Sequence, residues 1–219
     1  MNVFADSISM DGNGSTSLTR GDRWTGAFER ELGFKITNFA IGGSRMTPEL
    51  DGTDQFKSVY NVVHDGSDGT KTVNYQADYT IIFSGTNDHS KNMPLGTIND
   101  IANTTFYGAY KLVVKKLLTT NVDLKLFLVT PIQKFMGHTT TDNGEGWFHN
   151  GPNGNGATLA DFAQAIRNIG EYYSIPVIDL HRTSGINEFN FTLYHSADKL
   201  HPSKEGQRVM ADAMKKFMS

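Results

Sequence analysis

Four short stretches of this sequence carry side chains that could do chemistry together. Asp6-Ser7 follows the apolar residues 3–5, Gly42-Gly43 closes "NFAIGGS", Asn87 stands in "SGTND", and Asp198 and His201 lie three apart in "DKLHP". A serine hydroxyl is a weak nucleophile at neutral pH and needs a base within hydrogen-bond reach before it can attack an acyl carbonyl. His201 is the candidate base. Asp198, three residues earlier, can curl back in a tight turn and hold the imidazole in the tautomer that takes a proton from Ser7. As the carbonyl becomes tetrahedral, negative charge develops on its oxygen, and each donor aimed at that species is worth about 3–4 kcal/mol. The candidate donors are the backbone N–H groups of Ser7 and Gly43 and the side-chain amide of Asn87, with Gly42 as the alternative register for the glycine. The chemistry would be acyl transfer to Ser7 followed by hydrolysis of the acyl-enzyme. It requires no metal or organic cofactor. An imidazole must be neutral to act as base, so activity is expected to rise through roughly pH 6–7.

Taken singly, each stretch has an ordinary reading. Ser7 would serve as a turn or capping serine, Gly42-Gly43 as a strand-to-loop turn, Asn87-Asp88 as an Asx turn or helix cap, and His201-Pro202-Ser203 as a helix start. Asp88 is read as ordering the turn that presents Asn87. What turns four small motifs into one site is convergence, so the elements that carry them decide the matter.

Apolar runs and helical stripes alternate along the chain. After residues 2–5, Trp24, Ala27, Phe28 and Leu32 recur at helical spacing, and "KITNFAI" reads as a strand. A long irregular stretch precedes "ADYTIIFSG", a buried strand ended by Ser84-Gly85. Phe106, Tyr110, Val113 and Leu117 form a helical face, and "LKLFLVTP" is a strand stopped by Pro131. Leu159, Phe162, Ala163, Ile166 and Tyr173 mark another helix, and "IPVIDL" a fifth strand. A last helix carries Val209, Met210, Ala213, Met214 and Phe217, with Ser203 as its N-cap. Continuous apolar strands alternating with amphipathic helices predict an α/β fold: a doubly wound, parallel five-stranded sheet with helices on both faces, in one domain over residues 1–219. In such a sheet the loops at the carboxyl ends gather along one edge, where ligands bind. All four motifs follow predicted strands. Two long connections, residues 44–76 and the glycine-rich segment after Pro131, would overhang the same edge.

In order, Asp6-Ser7, the glycine after Asn38, Gly85-Thr86-Asn87-Asp88 and Asp198-Lys199-Leu200-His201-Pro202 resemble the four blocks of the SGNH (GDSL) hydrolases, over nearly the whole chain. The resemblance implies a flavodoxin-like fold and serine-dependent hydrolysis of esters with small acyl groups. One departure is visible. Ala5 stands where that family usually has glycine before Asp-Ser, and a positive φ there would strain an alanine and displace the Ser7 loop.

Other classes fit less well. The net charge of −3, with scattered Lys and Arg, provides no footprint for nucleic acid. With no cysteine, thiol nucleophiles and thiolate metal sites are excluded. No run approaches the ~18 apolar residues of a membrane span, so no membrane insertion is expected and the chain as given reads as soluble. His64, His138, His149 and His195 lack the spacing of a metal site and read as loop histidines. Trp147, Phe148 and His149 could stack on a sugar or line an acyl pocket, or pin their loop to the domain. The expected partner is a small-molecule or glycan ester, first of all an O-acetylated carbohydrate, because the long loops are polar and glycine-rich. The alternatives are a longer-chain lipase or thioesterase, a silent carbohydrate-recognition module on the same fold, and a binder of flavin or phosphate.

Overall fold

The computed structural model describes residues 1–11, 17–49, 57–135 and 151–218. Strand β1 is Asn2–Ala5, helix α1 Trp24–Leu32, β2 Thr37–Asn38, α2 Val59–Asp65, β3 Tyr79–Phe83 and α3 Thr86–Ser90. Then come α4 Phe106–Thr120, β4 Lys125–Val129, α5 Leu159–Tyr173, β5 Val177–Ile178, α6 Leu180–Thr183, α7 Phe191–Tyr194 and α8 Lys204–Lys215. The five strands are all parallel, in the order β2-β1-β3-β4-β5. This is the α/β fold expected from the alternating runs. β1 opens the sheet between β2 and β3, so the strand order reverses beside it, and the crevice at such a switch point is where open α/β sheets bind ligands.

The strands read as apolar runs because both faces are covered. Phe4, Ile82 and Leu128 point into a core shared with α2, α4 and α5, while Val3, Ala5, Ile81, Phe83 and Val129 point to the opposite face, against Trp24, Phe28, Met210 and Met214 of α1 and α8. Period-two alternation thus divides one strand between two cores. Burying each of the larger of these side chains contributes roughly 1.5–3 kcal/mol, and Ala5 pairs with Phe83, and Phe83 with Val129, in a register fixed by both faces.

Side-chain caps start the helices. Ser58, Thr105, Thr158 and Ser203 each accept an N–H from the first turn that follows, and Thr158 and Asp161 form a reciprocal capping box. Ser203 therefore takes the position expected for it. Two expectations are adjusted. The seven-residue "KITNFAI" contributes only a two-residue strand, although Phe39 and Ile41 continue to donate to Val3 and Ala5 alongside β1. The stretch 44–76, read as irregular, contains α2, where Val59, Val62 and Val63 form an apolar stripe only one turn long. Among the described residues no helix is long and apolar enough to cross a membrane.

Candidate active site

The turn after β1 is closed by its own polar groups. The Asp6 carboxylate accepts the Ile8 N–H at 2.9 Å and the Asp6 carbonyl accepts the Ser9 N–H at 3.1 Å, which leaves Ser7 at the rim. Three neighbours hold this turn. Trp24 Nε1 donates to Ser9 Oγ at 2.9 Å, Asn38 Nδ2 to the Ser9 carbonyl at 2.7 Å, and Gln207 Nε2 to the Ile8 carbonyl at 2.7 Å. Ala5 is ordinary strand backbone, and among the described residues it is not one of those with positive φ. The strain considered for an alanine there does not arise.

His201 meets Ser7 across the sheet edge. Ser7 Oγ lies 2.8 Å from His201 Nε2, and His201 Nδ1 lies 2.6 Å from Asp198 Oδ2. The other carboxylate oxygen, Oδ1, accepts the Leu200 N–H, the His201 N–H and the Ser196 hydroxyl, each at 2.9 Å. Closing so tight a turn puts Lys199 at φ 57, in the left-handed region. Partial burial raises the Asp198 carboxyl, but the bonds from His201, Leu200 and Ser196 outweigh it and hold the group well below the usual carboxylate range. An ionised Asp198 accepts Nδ1–H, so Nε2 is the imidazole atom left to accept from Ser7.

The loops after β2 and β3 complete the rim. Gly43 has φ 75 and Gly85 φ 127, conformations that glycine adopts at little cost; Gly85 turns the chain from β3 directly into α3. Asn87 donates one amide hydrogen to the Ser44 carbonyl at 2.9 Å, which ties it to the residue after Gly43 and leaves its second hydrogen available. Among the described residues neither the Ser7 nor the Gly43 backbone N–H has an acceptor. Asp88 does more than order its own turn. Its carboxylate reaches the Met46 N–H at 2.8 Å and the Thr47 N–H at 3.0 Å, so it fastens the Gly43 loop to α3. Burial raises the Asp88 carboxyl, against these bonds and the nearby Arg45.

Residues 133–135, after β4, strap the turn at residues 195–201 to α3. His195 Nε2 donates to the Gln133 carbonyl at 3.0 Å, the Phe135 N–H donates to the Lys199 carbonyl at 2.9 Å, and Lys134 Nζ donates to Ser90 Oγ at 2.5 Å. Burial pushes Lys134 down to about 8. His195 is thus a buried structural histidine, and His64 stacks on Tyr60 within α2. His138, Trp147, Phe148 and His149 lie outside the described residues. Among the described residues no three His, Asp or Glu side chains group as metal ligands would. The sequence reading missed Asn38, Gln207 and Ser196, whose only signal was a polar residue in or beside an apolar stretch.

Burial pushes the Asp6 carboxyl up to about 7; the Ile8 N–H opposes the shift and Asp88 adds to it. Unfolded, an aspartate ionises near pH ~4. A carboxyl that keeps its proton longer when folded favours folding fully below that pH, and the contribution is lost as the pH rises toward about 7. Asp6→Asn retains an acceptor for Ile8 without the ionisation. Its Tm is therefore expected to gain on that of the wild type between roughly pH 5 and pH 8; a constant difference in thermal melts over that range would assign the effect to another group.

A family model described as GDSL-like lipase/acylhydrolase matches residues 6–209. Among solved structures, a protein from Lactobacillus plantarum superposes with a TM-score of 0.78 at 24% identity, over 99% of this chain and 94% of that one. A protein described as a possible lipase from Chitinophaga pinensis gives 0.68 at 22%, over 99% and 96%, and an acetyl xylan esterase gives 0.61 at 18%, over 100% and 98%. A search of curated proteins found no match.

Proposed function

The chain belongs to the GDSL-like lipase/acylhydrolase family, and from that premise we propose that it is an ester hydrolase in which Ser7 is the nucleophile, His201 the acid–base and Asp198 the group that orients it. The observation that carries this reading is the 2.8 Å contact between Ser7 Oγ and His201 Nε2, made by residues 194 apart in sequence. As Ser7 Oγ bonds to the acyl carbon, its proton passes to Nε2; the tetrahedral species then collapses, and Nε2 returns the proton to the departing alkoxide. Water repeats the sequence on the acyl-enzyme, with His201 again the base, and releases the acid and free Ser7. The Ser7 N–H, the Gly43 N–H and the uncommitted Asn87 hydrogen face the developing oxyanion. They are held in advance by the Asp6 turn, the Gly43 loop and the Ser44 carbonyl, so little reorganisation is needed at the moment of reaction.

The substrates we propose are short acyl esters, first among them O-acetyl groups on carbohydrate. The polar, glycine-rich sequence of the loop after β4 supports this, as does a structural neighbour that is an acetyl xylan esterase. Turnover on p-nitrophenyl esters of increasing chain length, together with acetylated xylan and acetylated monosaccharides, tests it. The expected result is a kcat/KM greatest for acetyl and at least about tenfold lower for octanoyl, each methylene beyond the pocket costing on the order of 1 kcal/mol. A maximum at long chains would replace this reading by a lipase or thioesterase. Glycan binding without turnover would leave a recognition module.

A further inference from the structure

We propose that Gln207 is a positioning residue for the reaction: its side-chain amide sets the register between the turn that carries Ser7 and the helix that follows His201. The proposal rests on the reading of Ser7 and His201 as the reacting pair.

Gln207 lies in the first turn of α8 and is 1% exposed, an unusual place for an amide unless both of its ends are used. Both are. Oε1 accepts the backbone N–H of Trp24, at the start of α1, at 3.1 Å; Nε2 donates to the carbonyl of Ile8, the residue after Ser7, at 2.7 Å. Trp24 in turn donates its indole N–H to Ser9 Oγ. Among the described residues, the Gln207–Ile8 bond and the Ser7–His201 bond itself are the hydrogen bonds that join residues 6–9 to residues 195–218. The side-chain hydrogen bonds that Trp24 and Asn38 make to Ser9 come from α1 and β2. One buried amide therefore pins α8, and with it the chain leaving His201, directly to the backbone beside Ser7, and adds to the strap of residues 133–135 in setting the separation of hydroxyl and imidazole. A glutamine suits this position because a carbonyl oxygen and an N–H must be met by a single neutral side chain.

Gln207→Glu tests the role with a readout that simple loss of stability would not produce. A protonated carboxyl is nearly isosteric with the amide: its C=O can accept from Trp24 and its O–H can donate to Ile8. Ionised, it offers an oxygen to the Ile8 carbonyl and repels it. Burial and that carbonyl favour the protonated form, whereas Arg23, next to Trp24, opposes it. In the variant, kcat on p-nitrophenyl acetate is expected to stay within about threefold of wild type at the acidic end of the active range. It should then fall at least about tenfold on a new alkaline limb absent from the wild type, with KM unchanged. Gln207→Met, which can neither donate to Ile8 nor accept from Trp24, should lose about 10²-fold in kcat at every pH, and labelling of Ser7 by phenylmethanesulfonyl fluoride should slow in parallel. Met210→Ala, further along the same helix and buried in the same core, should lose stability but keep kcat within about twofold. A Gln207→Glu profile parallel to that of the wild type overturns the proposal, and so does an equal loss of kcat in Met210→Ala. If Gln207→Met fails to fold, the Gln207→Glu profile still decides. Wild-type protein that is neither active nor labelled at Ser7 would instead remove the reading on which the proposal rests.

Discussion

Ser7→Ala is expected to lower kcat on an acetyl ester by about 10⁶-fold, to the level that the oxyanion donors and substrate binding sustain alone. The size of the effect follows from what the substitution removes. Without Oγ there is no acyl-enzyme, and water must attack in a single step without the positioned nucleophile. The fold should not suffer. Ser7 Oγ makes its hydrogen bond to His201 alone, while the turn is held by Asp6, Ser9, Asn38, Trp24 and Gln207, none of which the substitution touches. Tm should therefore stay within about 2 °C of the wild type. Intact-mass measurement after treatment with phenylmethanesulfonyl fluoride should show one adduct on the wild-type protein and none on the variant. A variant that retains more than about a hundredth of the activity, or an adduct that persists, would assign the nucleophile elsewhere.

Asp198→Asn should cost about 10⁴-fold in kcat, through the tautomer of His201 rather than through loss of packing. Asp198 Oδ1 accepts three donors, two of them backbone N–H groups, so in an asparagine the carbonyl oxygen must stay there and the NH₂ must take the place of Oδ2. That NH₂ faces His201 Nδ1, which in the present structure is the donor. Two donors cannot share the contact. The imidazole proton then moves to Nε2, the atom that has to receive the Ser7 proton, and the base is lost with the turn geometry nearly unchanged. Labelling of Ser7 by the sulfonyl fluoride should slow by a similar factor, since it needs the same proton transfer. A loss below about tenfold, measured with saturating substrate, would mean that Asp198 does not set the tautomer.

The chemistry-bearing groups were legible in the sequence for a physical reason. Acyl transfer by a serine needs a base, an acceptor behind it and N–H donors; the candidate nucleophile and donors stood at the ends of apolar runs, and the candidate base and acceptor stood just ahead of the last helix. Asp198 and His201 are three residues apart, so their pairing is local and follows from the turn. Ser203 reads as a cap for the same local reason. Short elements did not show themselves. α3 and α6 have only one turn or so, too few residues for a 3.6-residue period to emerge, and most of the pairing beyond Asn38 runs as isolated bonds beside β1.

By itself, then, the sequence determined the inventory of reactive groups, the alternation of strands and helices, and the contacts that span a few residues, because these depend on residue type and local spacing. Only the tertiary structure decided the strand order that places β1 beside β3, the meeting of Ser7 with His201, the reach of Asp88 to the Gly43 loop, and the bridge that Gln207 makes from α8 to Ile8. Those contacts join segments dozens to nearly two hundred residues apart. Their geometry is set by how two hydrophobic cores pack on a twisted parallel sheet, which a one-dimensional pattern does not encode locally.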